Sequence, residues 1–98
     1  MRRFMLIPLS LFVLLAAASV ASAACYADYK AKRGNPLQLH YGVIEVPENA
    51  CNAGAAANVV KRRIGRDGWE LLNIVSVFRD GGGLERRKAS AGAYYLKY

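Results

Sequence analysis

The amino-acid sequence predicts a small α+β domain of β-α-β-β order, a three-stranded sheet with one helix packed on it. Three features carry that prediction: alternating polarity over 37–46, an alanine-rich helical stripe up to Arg66, and an apolar run that begins at Gly68-Trp69. Alternation marks a half-buried strand, and apolar spacings of three and four mark an amphipathic helix.

The chain divides into three segments. Residues 1–23 open with Arg2 and Arg3, continue through an apolar run from Phe4 to Val20, and end in Ala21-Ser22-Ala23. That is the layout of a secretory signal peptide, with cleavage expected after Ala23. The run approaches the ~20 apolar residues that span a bilayer, so an uncleaved anchor is the alternative. Alanines at both key positions before the cleavage point favour removal. Residues 24–36 (ACYADYKAKRGNP) read as an N-terminal arm that ends in a Gly-Asn-Pro turn signal. Residues 37–98 form the predicted β-α-β-β domain.

Within that domain, Leu37, Leu39, Tyr41 and Val43 alternate with Gln38 and His40, which assigns the leucines to the buried face of the first strand. The pattern slips after Gly42, where Ile44 and Val46 change sides, the signature of a bulge or of a strand end covered on both faces. Pro47 ends the strand, because it has no N–H to give to a ladder. Asn49 or Asn52 then caps a helix whose stripe is Ala53, Ala56, Ala57, Val60 and Ile64. Lys61, Arg62, Arg63 and Arg66 fall in its last turns, where cations meet the negative end of the helix dipole.

Gly68 is placed to stop that helix in a left-handed conformation. Ile64 and Trp69 then occupy the two positions whose side chains meet in a Schellman motif. Trp69 also begins the run WELLNIVSVF, apolar on both faces, which predicts the central strand. After Phe78 comes a glycine-rich connection with a possible helical turn at LERRKAS, and AYYLKY reads as a last strand returning beside the central one.

The segments GRDGWELLNIVSV and AYYLKY together resemble a family of small bacterial domains of unknown function, the DUF 4177 type. The residues that carry the resemblance are Ile64 and Gly65, then Gly68, Trp69, Glu70 and Leu71, and at the end Tyr94, Tyr95, Leu96 and Lys97. It spans 37–98 and implies the β-α-β-β layout. It supplies no activity, substrate or catalytic residue.

Export bears on the two cysteines. Cys25 and Cys51 would reach an oxidising compartment, where a lone pair in a small chain most simply forms a disulfide. The competing reading makes Cys25 the lipid-modified first residue of a lipoprotein. That would strand Cys51, and Ser22 stands where a branched apolar residue is expected.

The chain has fourteen lysines and arginines against seven acids; without Arg2 and Arg3, twelve basic residues remain. Such a balance steers anionic partners toward the protein. An envelope protein or an anionic surface component is therefore the expected partner, and export makes nucleic acid the less fitting one. The proposed contacts are Arg86, Arg87 and Lys88 in the connection after Phe78, then Lys61, Arg62 and Arg63 on the helix.

Catalytic and cofactor signals are weak. His40 is the one histidine and is read as a surface or sheet-edge residue. No ligand cluster for a metal is evident, and no cofactor is expected. Ser76 and Ser90 lack a nucleophile-elbow context, and Asp-Gly-Gly-Gly lacks the lysine and hydroxyl residue of a P-loop. Six tyrosines lie among basic residues, and sheet packing explains them better than a stacking surface, since three of the six stand in the terminal run AYYLKY. The expected function is thus a non-catalytic accessory or binding domain. A small periplasmic hydrolase or enzyme inhibitor using His40, and a lipid-anchored envelope protein, are the alternatives.

Overall fold

The structure is a computed structural model and describes residues 24–79 and 83–98. The segment read as a signal peptide, and Asp80, Gly81 and Gly82 of the glycine-rich connection, lie outside the described residues. The described part is an α+β domain built on a three-stranded antiparallel sheet with strands β1 (Cys25–Arg33), β2 (Gln38–Val46) and β3 (Glu70–Arg79). Helix α1 (Ala53–Gly65) joins β2 to β3, and helix α2 (Leu84–Ala91) follows β3.

The strand order is β2-β1-β3, so the middle strand is β1. This corrects two expectations. Residues 24–36 are not an arm, and the run starting at Trp69 forms an edge strand. The inward side chains of β1 are Cys25, Ala27, Tyr29 and Ala31, all buried. Small alanines carry little β-forming signal, yet a middle strand close under a helix needs them.

Strands β1 and β2 form a hairpin through Gly34–Leu37, in which Gly34 has φ 78° and the Asn35–Pro36 peptide is cis. Their register is continuous from Cys25 opposite Val46 to Arg33 opposite Gln38. No bulge occurs at Gly42. Instead β2 is covered on both sides over its second half, which is why its apolar pattern changes face there. Gly42 lies opposite Tyr29, and a Cβ on it would sit 2.5 Å from the Tyr29 hydroxyl. The tyrosine ring occupies the space that a side chain at 42 would fill.

Strand β3 carries the irregularities. Its register with β1 shifts between Asp28 and Tyr29 and again between Lys30 and Ala31, leaving Val75 and Leu72 as the extra residues. Each is about half exposed. The two bulges turn the usual period of two into a period of three, so Leu71, Ile74 and Val77 all pack against the core. Bulges also blunt an edge strand against unwanted pairing.

Helix α1 begins at Asn52, whose side chain accepts the Ala55 N–H at 2.9 Å. Its buried stripe is Ala56, Val59, Val60 and Ile64, in one cluster with the inward residues of β1 and β2. Ala53 is exposed, one turn before the contact begins. The helix ends in a Schellman stop: the Trp69 N–H donates to the Ile64 carbonyl at 3.2 Å, the Gly68 N–H to Gly65 at 3.0 Å, and Gly68 has φ 81°. Ile64 and Trp69 are both buried in that cluster. A disulfide joins Cys25 at the start of β1 to Cys51 before α1.

Residues after α2 do not form a strand. Gly92–Tyr94 is a short 3-10 turn, Gly92 and Leu96 both have φ 55°, and the segment makes a single parallel bridge, Tyr95 with Val43. It runs along the outer edge of β2, where the Leu96 N–H donates to the Val43 carbonyl at 2.8 Å. Helix α2 and the positive-φ residues Gly92 and Leu96 stand where the hairpin with β3 that the aromatic run predicts would need extended chain.

Three stability outcomes follow from this packing. Replacing both cysteines with serine should cost about 3.5 kcal/mol, the chain-entropy value for a closed loop of this length, read as a lower denaturant midpoint. Trp69→Ala should cost about 3–5 kcal/mol. Gly42→Ala should cost about 1–3 kcal/mol by overpacking, and markedly less in a Tyr29→Ala background, because the two changes share one contact.

Candidate functional site

Strand alternation sorts the polar groups of β1 and β2 onto two faces. The inner face, under α1, holds Tyr29 and His40. The outer face holds Asp28, Lys30, Lys32, Leu39 and Tyr41, and α2 covers only one end of it.

At the covered end, Asp28 is buried and accepts three side-chain hydrogen bonds: Ser76 Oγ at 2.6 Å, Tyr41 Oη at 2.7 Å and Arg87 Nε at 3.2 Å. Arg87 also lies 3.8 Å from the centroid of the Phe78 ring, which stacks on Tyr26. Burial by itself would raise the Asp28 carboxyl pKa, but the bonds from Ser76, Tyr41 and Arg87, with the arginine's charge, together hold it below its usual value. Burial and the Asp28 carboxylate push Tyr41 up to about 12. The cluster fastens α2 to the sheet.

On the inner face His40 is buried, which corrects its expected place at the surface. Leu37 and Leu39, expected inside, are 64% and 65% exposed. Pairing Tyr29 with Gly42 sets the parity of β2, and with it sends His40, Ile44 and Val46 inward. The His40 ring stacks on Tyr94 at 3.7 Å between centroids, meets Trp69 edge-on at 4.2 Å, and bonds through Nε2 to Tyr29 Oη at 2.9 Å. Its Nδ1 is buried without a hydrogen-bond partner among the described residues. Protonating the ring would bury a second N–H with nothing to accept it. Burial first, then the charges of Arg33 and Lys97, lower the His40 pKa.

His40 and Ser76 therefore lie on opposite faces of the sheet. A nucleophile and base built from these two residues is not assembled. Among the described residues no group of three or more His, Cys, Asp or Glu side chains is placed to hold a metal. The Cys25 sulfur is bonded to Cys51, and a sulfur in that bond is not available to carry a lipid.

The proposed contact residues do not form one surface. Lys61, Arg62 and Arg63 belong to α1 on the inner side, whereas Arg86, Arg87 and Lys88 belong to α2 on the outer side. Arg87 departs from the set, since it is turned inward onto Asp28. Arg63 donates to the Glu45 carbonyl at 2.9 Å, and Arg62 reaches the Asn58 carbonyl at 3.4 Å. Lys61 and Arg86 are exposed, as is Lys88, whose ammonium lies 5.8 Å from the Tyr95 ring.

The uncovered end of the outer face, beside the hairpin turn, has no signal in the sequence, because it depends on strand pairing. Lys30, Leu39, Tyr41 and Leu72 line a shallow open hollow of about 340 Å³ there. Lys30 is exposed and lies opposite Asn73, and Lys32 lies opposite Glu70. No family model, curated protein or solved structure matches the chain. The resemblance drawn from Gly68-Trp69-Glu70-Leu71 rests on its own residues.

Two outcomes test these clusters. Asp28→Asn should cost on the order of 2 kcal/mol, less than the 3–5 kcal/mol of a fully buried pair, because part of Arg87 reaches solvent. With a lowered His40 pKa, the unfolded chain binds a proton that the folded chain refuses. Stability should therefore fall as pH drops below about 6.5, and His40→Gln should remove that slope between pH 7 and 5 in denaturant titrations.

Proposed function

We propose that this chain is an exported, disulfide-stapled, non-catalytic binding domain whose partner is an anionic component of the cell envelope. The observation that carries this reading is the disposition of charge. Asp28, Glu48 and Asp67 are engaged by Arg87, Arg79 and Tyr98, whereas the side chains of Lys30, Lys32, Lys61, Arg66 and Arg86 make no hydrogen bond or ion pair among the described residues. Among the described residues these free cations outnumber the unengaged acids Glu45, Glu70 and Glu85, and an excess of free positive charge favours an anionic partner. The signal-peptide pattern at 1–23 supports an envelope location. The disulfide is compatible with an oxidising compartment.

Cell fractionation tests the reading. The protein should sediment with the envelope at low ionic strength and be released as salt rises to about 0.5 M, where screening acts within a few ångströms. Reversing Lys30, Lys61, Arg86 and Lys88 to glutamate should shift most of it to the soluble fraction. Envelope association that ignores both salt and charge reversal would contradict the proposal.

A further inference from the structure

The uncovered end of the outer sheet face combines exposed leucines with lysines. Leu37, at the hairpin turn, and Leu39, the second residue of β2, are the most exposed of the large apolar residues among those described, and Leu72 is pushed out by a bulge, 48% exposed. Leu39, Leu72 and Tyr41 meet around Lys30 in one hollow, and Lys32 lies directly across from Leu39. Exposed leucines in one patch, flanked by cations, mark an interaction surface.

The shape and charge select among occupants. A second copy joined through this face by a two-fold axis would gather Lys30 and Lys32 of each copy against only Glu70 of each, a net like charge that opposes association. The two most exposed leucines sit at and beside a hairpin turn, with an open hollow behind them rather than an enclosed groove. Projecting apolar tips with lysines behind them suit a soft, negatively charged surface: the leucines enter the boundary between headgroups and acyl chains while the ammonium groups meet phosphates. A lysine can do both, with its alkyl stem along apolar neighbours and its charge in the headgroup layer. Glu70 opposite Lys32 offsets one charge, which leaves Lys30 as the main electrostatic contact.

We infer that this hairpin-tip face docks on an anionic phospholipid bilayer, with Leu37, Leu39 and Leu72 inserted at the interface and Lys30 and Lys32 against the headgroups. The inference rests on the anionic-envelope reading and narrows it to one face and one ligand. Helix α2 fits the geometry, since it covers the far end of the same face and leaves this end open.

Cosedimentation of the exported, oxidised protein with vesicles provides the test. Vesicles of phosphatidylcholine with about a third phosphatidylglycerol should bind it, and pure phosphatidylcholine should bind at least tenfold more weakly. Leu37→Ser with Leu39→Ser should reduce binding to the anionic vesicles at least tenfold, and Lys30→Gln roughly fivefold. Both leucines are largely solvent-exposed, so thermal unfolding of that variant should match the parent. Lys61→Glu with Arg86→Glu, away from the patch, should change binding much less than the hairpin variants do. Vesicle binding unaffected by the leucine changes, or lost mainly through Lys61 and Arg86, overturns the assignment of this face. Absence of anionic-vesicle binding, with salt-sensitive envelope association retained, overturns the lipid ligand while the broader reading stands. Failure of both removes the two together.

Discussion

The seating of Tyr29 over Gly42 is the contact on which the rest of the domain depends. One strand can present each residue to only one face, so turning Tyr29 inward turns Asp28 outward, and the register sends His40 inward and Tyr41 outward. The glycine is what makes this parity possible, since any Cβ at 42 would overlap the ring. From that one choice come a buried histidine under α1 and a buried carboxylate under α2, on opposite sides of the same sheet.

Those two polar clusters hold the chain's later segments in place. Asp28 draws Arg87 down and so fixes α2 over one end of the outer face. His40 receives Tyr94, whose segment passes round the outer edge of β2, and Tyr98 then reaches Asp67 near the end of α1. A charged group on the middle strand thus has a structural reason to exist, and so does the one histidine. What these attachments leave uncovered is the hairpin end, and the exposed leucines and lysines found there have no internal role to explain them.

Local devices were legible in the sequence, and pairings over long distances were not. The stop at Gly68, with Ile64 and Trp69 in its two contacting positions, depends on six consecutive residues and could be read directly. The disulfide followed from there being two cysteines. Strand β1 was hidden because its buried side is mostly alanine. The parity of β2 was misread because Leu37 and Leu39 are the stronger apolar signal, although nothing in the described structure covers them. In β3, two bulges bring Leu71, Ile74 and Val77 to one side at a spacing of three. Apolar residues on both faces then resemble a central strand when they belong to an irregular edge. Arg87 looked like its neighbours Arg86 and Lys88; only the fold shows that it faces Asp28.

The middle position of β1 is the central claim, and native-state hydrogen exchange of the oxidised protein measures it most directly. A strand paired on both sides under a helix opens only with the whole domain. Amides of Ala27, Tyr29 and Ala31 should therefore exchange among the slowest, at the rate set by global unfolding, while those of Leu72 and Val75 at the bulges exchange faster. Rapid exchange throughout 25–33, with the slowest amides in 70–79, would contradict the account.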